Sequence, residues 1–280
     1  MIVRSSSGRL ASWSLDRPLR GGTVKKATIV TTSWDDGDKC DLKVAEFLSS
    51  RGMRGTFYVP IKPFKPRPRL VAADLSSLAL EGFEIGAHGF AHEDLTSLSS
   101  EEVARVVALC KQTLEGILGT EVSMFCYPRG RFNRNVAHRL RLAGYSGART
   151  VRMLATGFDF QPFEMPTSLQ VYPHSRTTYV RNTARAGRVA RLYDYLTQLS
   201  QGDGWVELGK KLFDRVVREG GVWHLFGHSW EIDQLGLWGD LGKMLDYVSK
   251  QKGAVYIPNG EVLGYLRMQR RAAQQIRGGS

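Results

Sequence analysis

The chain has 280 residues and a mass of 31.3 kDa, with 42% apolar and 10% aromatic residues, which is enough to bury the core of one large domain or two small ones and too apolar for a disordered chain. Ten Pro, and thirty Gly without a three-residue period, exclude a low-complexity linker and a collagen-like fibre, and no apolar run approaches the roughly 18–20 residues of a membrane span. The formal charge is +12, from 39 Lys+Arg against 27 Asp+Glu, a balance that favours anionic partners.

Residues 1–24 hold Ser, Gly, Pro and Arg without periodicity and are expected to form an arm laid over the domain. From there, β-rich runs alternate with amphipathic helical stretches. The pattern predicts strand Ala27 to Trp34, helix Lys39 to Arg51, strand Gly55 to Pro60, helix Asp74 to Leu80 and strand Phe83 to His88. Ser99 and Glu102 form a capping box ahead of a helix whose apolar positions Val103, Val106, Val107, Cys110, Leu114 and Ile117 recur at helical spacing. Strand Val122 to Tyr127, helix Asn133 to Ala143 and strand Tyr145 to Val151 follow. The polar stretch Arg152 to Ser175 is expected to form loops over one end of the domain. Helices Thr178 to Leu199 and Trp205 to Arg218, strand Val222 to Phe226, helix Gly239 to Lys250 and strand Ala254 to Ile257 complete the pattern, and residues 266–280 are expected to form a basic, flexible tail. Seven strands, most followed by a helix, predict a single-domain parallel α/β fold over residues 25–265. The count favours a barrel, although alternation does not separate a barrel from a doubly wound sheet.

In a parallel barrel the reactive groups gather at the carboxyl ends of the strands, and four polar sites fall there. Asp35-Asp36-Gly37 follows the first strand, His88 the third, Tyr127-Pro128-Arg129-Gly130 the fourth, and His228 the strand that starts at Val222. Adjacent carboxylates on an extended backbone point to different sides, so one can bind a metal while the other takes a proton. His88 and His92 are four residues apart, one helical turn, so both imidazoles can meet one cation, and Asp36 completes an Asp/His/His set with coordination positions left open. His228 can protonate a leaving group, with Trp230 and Glu231 as neighbours. His224, inside the strand, reads as structural. Each site alone also fits a structural role: an Asx turn or helix cap at Asp35-Asp36, a capped strand end at His228, a plain turn at Tyr127 to Gly130.

The segments Thr31-Thr32-Ser33-Trp34-Asp35-Asp36-Gly37, Gly55-Thr56-Phe57-Tyr58-Val59-Pro60 and Gly86-Ala87-His88-Gly89-Phe90-Ala91-His92 resemble the opening aspartate motif, second strand and histidine motif of the polysaccharide deacetylases, carbohydrate esterase family four. The resemblance runs in order over about residues 27 to 262. It implies a distorted seven-stranded (β/α) barrel and removal of an N-acetyl group from an amino sugar with a divalent metal, zinc first, with cobalt, nickel or manganese as alternatives. It further implies Asp36, His88 and His92 as metal ligands, Asp35 as general base, the Arg129 backbone N–H as an oxyanion donor and His228 as general acid. Many members carry an Arg two residues before the motif-three Pro, where Cys126 stands here, so the base is expected to be oriented differently. Asp159 and Glu231 are the candidates for a second acid that tunes His228.

Between Arg129 and Arg191 the chain has twelve Arg, no Lys and only Asp159 and Glu164 as acids. Arg129, Arg131 and Arg134 are expected to border the catalytic pocket, with Tyr127, Pro128 and Trp230 also facing substrate, and to favour a phosphate-bearing sugar. No sequence-specific nucleic-acid contact is expected, and peripheral contact of the basic face with an anionic membrane is. Three cysteines, Cys40, Cys110 and Cys126, lack paired metal spacing and fit free thiols of a reducing compartment. With no apolar leader at the start, the expected location is the cytoplasm. The competing readings are hydrolysis of another C–N bond, in an N-formyl sugar, cyclic ureide or imide, and a noncatalytic module that binds glycan or an anionic ligand.

Overall fold

The computed structural model describes residues 27–187, 189–200 and 204–278; the arm expected over residues 1–24 lies outside them. Among the described residues there are eight strands: β1 (Thr28–Asp35), β2 (Thr56–Val59), β3 (Glu84–Ala87), β4 (Met124–Cys126), β5 (Gly147–Arg149), β6 (Leu169–Gln170), β7 (Gly221–Gly227) and β8 (Ala254–Tyr256). All pair in parallel, in the order β5-β4-β3-β2-β1-β7-β6, with β8 alongside β1. An isolated parallel bridge pairs Arg149 of β5 with Met165, in the segment that leads into β6. Seven strands on one path curl into a distorted, incompletely closed (β/α) barrel.

Helices cover the outside because each leads from one strand back to the start of the next, which parallel pairing requires. The strands are therefore apolar on both faces. In β1, Val30 and Trp34 face the outer core with Val44 and Leu48 of the helix Asp41–Ser49, while Ile29 points inward with Tyr58, Met124, Cys126 and Val222. Ser99 caps the helix Ser100–Leu118 with Glu102 closing the box, as the sequence predicts. Asn133 caps the helix Arg134–Leu142 by accepting the Val136 N–H at 2.9 Å.

Three expectations are corrected. The stretch Arg152 to Ser175 contains β6, only two residues long and therefore without a periodic signal, yet Leu169 and Gln170 pair with Leu225 and Phe226. The helix predicted from Thr178 to Leu199 is broken: Arg176–Arg185 ends near Gly187, which has φ +63°, and Val189–Asp194 then runs into a π-turn at Tyr195–Leu199. The carboxyl-terminal residues expected as a flexible tail continue the helix Asn259–Gly278. Val262, Leu263 and Leu266 bury into the inner cluster, and Arg270 Nη2 donates to Phe160 O at 2.7 Å, so the basic residues ride on an anchored helix.

That helix begins beneath the amino-terminal ends of the strands. Asn259 N–H donates to Thr56 Oγ1 at 2.9 Å and Gly260 N–H to Glu84 Oε2 at 3.0 Å. The opposite, carboxyl end of the barrel is left for chemistry.

Candidate active site

β1 ends at Asp35, and the chain leaves it through two left-handed residues, Asp36 at φ +80° and Gly37 at φ +63°. This turn, rather than strand alternation, separates the two carboxylates. Asp35 Oδ1 accepts from Arg149 Nη2, while Oδ2 faces Cys126 Sγ and His228 Nε2, each at 3.8 Å. Burial alone would push the Asp35 carboxyl up, but the Arg149, His88 and His228 charges outweigh it and hold it below the usual range. Asp35 is thus ionised and able to accept a proton.

Asp36 has different partners. Its Oδ2 accepts from Lys65 Nζ and Trp230 Nε1, both at 2.9 Å. Its Oδ1 is buried without a hydrogen-bond partner and lies 3.5 Å from His88 Nε2 and 3.6 Å from His92 Nε2. Burial opposes ionisation of Asp36 too, and is outweighed by His88, His228 and Lys65, which hold its carboxyl well below the usual range. His88 Nδ1 is 2.9 Å from Cys126 O; a carbonyl only accepts, so Nδ1 carries a proton and Nε2 is the atom turned toward Asp36. Burial opposes the His88 charge, but Cys126, Asp36 and Asp35 outweigh it and raise its pKa well above the ordinary value, so a cation bound at Nε2 would displace a proton. His92 stacks on Phe64 with centroids 4.2 Å apart, and burial, aided by the nearby His88, pulls its pKa down to about 4, leaving the neutral imidazole that metals bind. An orphaned carboxylate oxygen between two imidazole nitrogens is a cation site by its donor chemistry. The three donors lie within 4.8 Å of one another. The His88/His92 spacing works differently from the sequence reading: the segment is not helical, and left-handed backbone at Gly89 (φ +78°) and His92 (φ +57°) folds the second ring back toward the first. A second cluster, Asp35, His88 and Cys126, is the poorer site, because Arg149 already neutralises Asp35 and burial raises the Cys126 thiol pKa.

His228 follows β7. Its Nδ1 donates to Glu231 Oε2 at 2.7 Å, Glu231 accepts from Gln170 Nε2 at 3.1 Å, and Gln170 Oε1 contacts His174 Nε2 at 2.8 Å. Burial would depress His228, but Glu231, Asp35 and Asp36 outweigh it and raise its pKa above the ordinary value. Of the two acids considered for tuning His228, Glu231 is the one that bonds it. His224 is buried in hydrogen bonds to Ser33 Oγ and Pro166 O, and burial first, then Arg149, lowers its pKa to about 3, in keeping with a structural role.

Asp35, Asp36, His88, His92, Arg129 and His228 line one cavity of about 520 Å³. Arg129 reaches it on a strained turn, at φ +57°, whose hydrogen bonds run from Gly130 N to Tyr127 O and from Arg131 N to Pro128 O. Gly130, at φ +66°, is pressed against Val151; an added Cβ would lie 2.2 Å from Val151 Cγ2. The turn is thereby fixed.

The residues expected to face substrate fare unequally. Tyr127 contributes to the cavity wall, stacked on Phe132 and with its hydroxyl donating to Phe163 O at 3.0 Å. Pro128 instead packs over Gly89. Arg131 points to solvent and pairs with Asp94 at 2.7 Å, and Arg134 is exposed as the first residue of its helix; neither lines the catalytic cavity, because the Arg129 turn directs the following chain outward. Trp230 holds the Asp36 carboxylate, with Lys65 Nζ 3.5 Å from its ring centroid. Two residues were missed. Arg149 is fully buried and lies over Phe226, 4.7 Å from the ring centroid, so β5 supplies the cation that the Cys126 position lacks. Lys65 comes from the loop after β2. A lone Arg within the apolar strand reading Tyr145 to Val151 was the available signal for the first; nothing in the sequence marked the second.

Residues 22–148 match the family model of polysaccharide deacetylases. The chain is 25% identical over 207 residues to the peptidoglycan-N-acetylmuramic acid deacetylase PdaA of Bacillus subtilis, covering 70% of this chain and 76% of that protein. Its fold is similar to that of a candidate polysaccharide deacetylase from Mycobacterium smegmatis, with a TM-score of 0.64 at 15% identity over 91% of this chain and 96% of the other. It is also similar to the chitin deacetylase of Colletotrichum lindemuthianum, with a TM-score of 0.56 at 16% identity over 85% and 88% of the two chains.

Proposed function

We propose, from the match of residues 22–148 to the polysaccharide deacetylase family model and the likeness to a peptidoglycan deacetylase, that the chain removes the N-acetyl group from an amino sugar, using Asp35 as base, His228 as acid and a divalent cation held by Asp36, His88 and His92. The observation that carries this reading is the convergence of Asp36 Oδ1, buried and without a hydrogen bond, on His88 Nε2 and His92 Nε2. One carboxylate and two imidazoles suit zinc, with cobalt, nickel or manganese as alternatives. When bound there, the cation supplies Lewis acidity for the amide carbonyl and for water.

The chain's own residues divide the remaining work. Asp35, kept ionised by Arg149, takes a proton from the attacking water. Oxygen adds to the carbonyl carbon, and the Arg129 N–H donates to the developing oxyanion. His228, kept protonated by Glu231, gives its proton to nitrogen as the C–N bond breaks, so acetate and the free amine leave. The related deacetylase that acts on N-acetylmuramic acid supports an N-acetylated amino sugar as the substrate class. The three cysteines are free thiols, and no helix among the described residues is long and apolar enough to cross a membrane.

Amine release from N-acetyl amino sugars is expected to vanish on chelation and to return with zinc, cobalt or manganese, and to be absent in His88→Ala; release that survives both treatments overturns the metal reading. Release from N-formyl but not N-acetyl sugars would instead assign the other acyl group. A second expectation follows from the hydrogen bond between Glu231 and His228. Activity needs the imidazolium, so it is present below the His228 pKa and lost as pH rises through it. Glu231→Gln removes the anion that raises that pKa, and the alkaline limb of the kcat profile should move to lower pH. An unmoved limb would exclude His228 as the titrating acid.

A further inference from the structure

The fold divides the arginine run that dominates the chain's charge. Arg149 turns inward to Asp35, Arg139 donates to Ser100 Oγ, and Arg141 lies over Phe163. Arg129, Arg131, Arg152, Arg181 and Arg185 instead gather around a second cavity of about 680 Å³. They come from three separate connections, after β4, after β5, and on the helix Arg176–Arg185 that follows β6. The two cavities share Arg129, Gly130, Val151, Thr178 and Asn182, so they form one continuous groove. Asn182 fixes its wall: Nδ2 donates to Val151 O and Oδ1 accepts from Met153 N, both at 2.8 Å.

Among the described residues, no Asp or Glu lines the second cavity. Arg131 and Arg152 are paired with Asp94 and Glu164, while Arg129, Arg181 and Arg185 have no carboxylate partner among the described residues. The aromatic ring in the lining, Phe132, is already covered by Tyr127 and Arg152, so the groove presents guanidinium groups rather than a stacking platform for a neutral sugar. Three uncompensated cations on one rim repel each other until an anion joins them. A single carboxylate engages one guanidinium fork, whereas a phosphoryl group or diphosphate has oxygens for several.

We infer that this groove binds a phosphate or diphosphate carried by the amino sugar whose acyl group enters the catalytic cavity. The inference rests on the deacetylase reading and names its substrate class. The residues differ from the sequence expectation: Arg134 has no part, Arg131 is already paired, and Arg181 and Arg185 supply the charge.

The test uses the full chain loaded with metal. N-acetylglucosamine 1-phosphate and neutral N-acetylglucosamine are compared by calorimetric titration and by kcat/KM. The phosphate-bearing sugar is expected to bind more tightly, with an advantage that falls as salt rises. Arg181→Ser with Arg185→Ser should cut the phosphorylated-to-neutral ratio about 10- to 100-fold, and Arg181→Lys with Arg185→Lys should restore only part of it. Nucleotide-diphosphate-linked and prenyl-diphosphate-linked N-acetyl sugars then rank the two sources of the phosphate. An unchanged ratio in the Ser variant with an unaltered Tm, or equal affinity for the two sugars, overturns the inference. Phosphate-dependent binding without hydrolysis of any acyl sugar would overturn the deacetylase reading and leave the groove assigned; hydrolysis without phosphate preference would do the reverse.

Discussion

Asp35→Asn is expected to lower kcat on an N-acetyl sugar by about 10²- to 10⁴-fold, the range for losing a positioned general base, while metal content stays at the wild-type level. The two effects separate because the carboxylates separate. Asp36 Oδ1 faces the two imidazoles, whereas Asp35 is held by Arg149. Elemental analysis beside steady-state kinetics checks both, and metal loss in this variant would mean that Asp35 is itself a ligand. Asp36→Asn should behave in the opposite way, losing metal and activity together.

Arg149→Met is expected to destabilise the protein by about 3–5 kcal/mol, the usual result of leaving one member of a buried ion pair uncompensated. Arg149 and Asp35 are both buried, and Arg149 Nε and Nη1 have no hydrogen-bond partner, so the carboxylate is its principal anchor. The double variant Arg149→Met/Asp35→Asn should recover part of the loss, since it removes both charges, and urea unfolding of the four proteins gives the coupling directly. Additive single effects would show that the pair is not energetically coupled. The pH dependence has a definite sign. The folded-state pKa of Asp35 lies below its ordinary value, so the pair's stabilisation is complete above the ordinary carboxylate range and is lost as pH falls through that range toward the folded pKa. Arg149→Met should lack this acid-side dependence.

The Asp36/His88/His92 cluster was legible as a candidate metal site because its three residues follow strand ends and two of them are four apart in sequence. Its geometry was not, because left-handed backbone at Asp36 and His92 has no residue signature there; neither is Gly. Glu231 was legible as a neighbour of His228, three residues on, whereas Arg149 and Lys65 reach the site from other strand ends, through contacts of 114 and 29 residues' separation. The parallel α/β class was readable from the alternation of runs and helices, whereas the choice of a barrel rested on the strand count and the family resemblance. β6 was not, since two residues carry no periodicity and its register is set entirely by β7. Arg131 and Arg134 were misplaced for a related reason: proximity to a strand end in sequence says nothing about which way a turn throws the next side chains.

β1 also governs how the protein is made. It pairs through Ser33–Asp35 with β2, through Thr28–Trp34 with β7, and through Thr28–Val30 with β8, and all eight of its residues are buried. Most of its edges therefore wait for partners about 190 to 226 residues further along the chain, and such non-local pairing folds slowly. During translation the β-branched run Thr28-Ile29-Val30-Thr31-Thr32, which β2 does not reach, stays unpaired until β7 and β8 have been made, which ties placement of Asp35 to synthesis of the carboxyl-terminal part of the barrel.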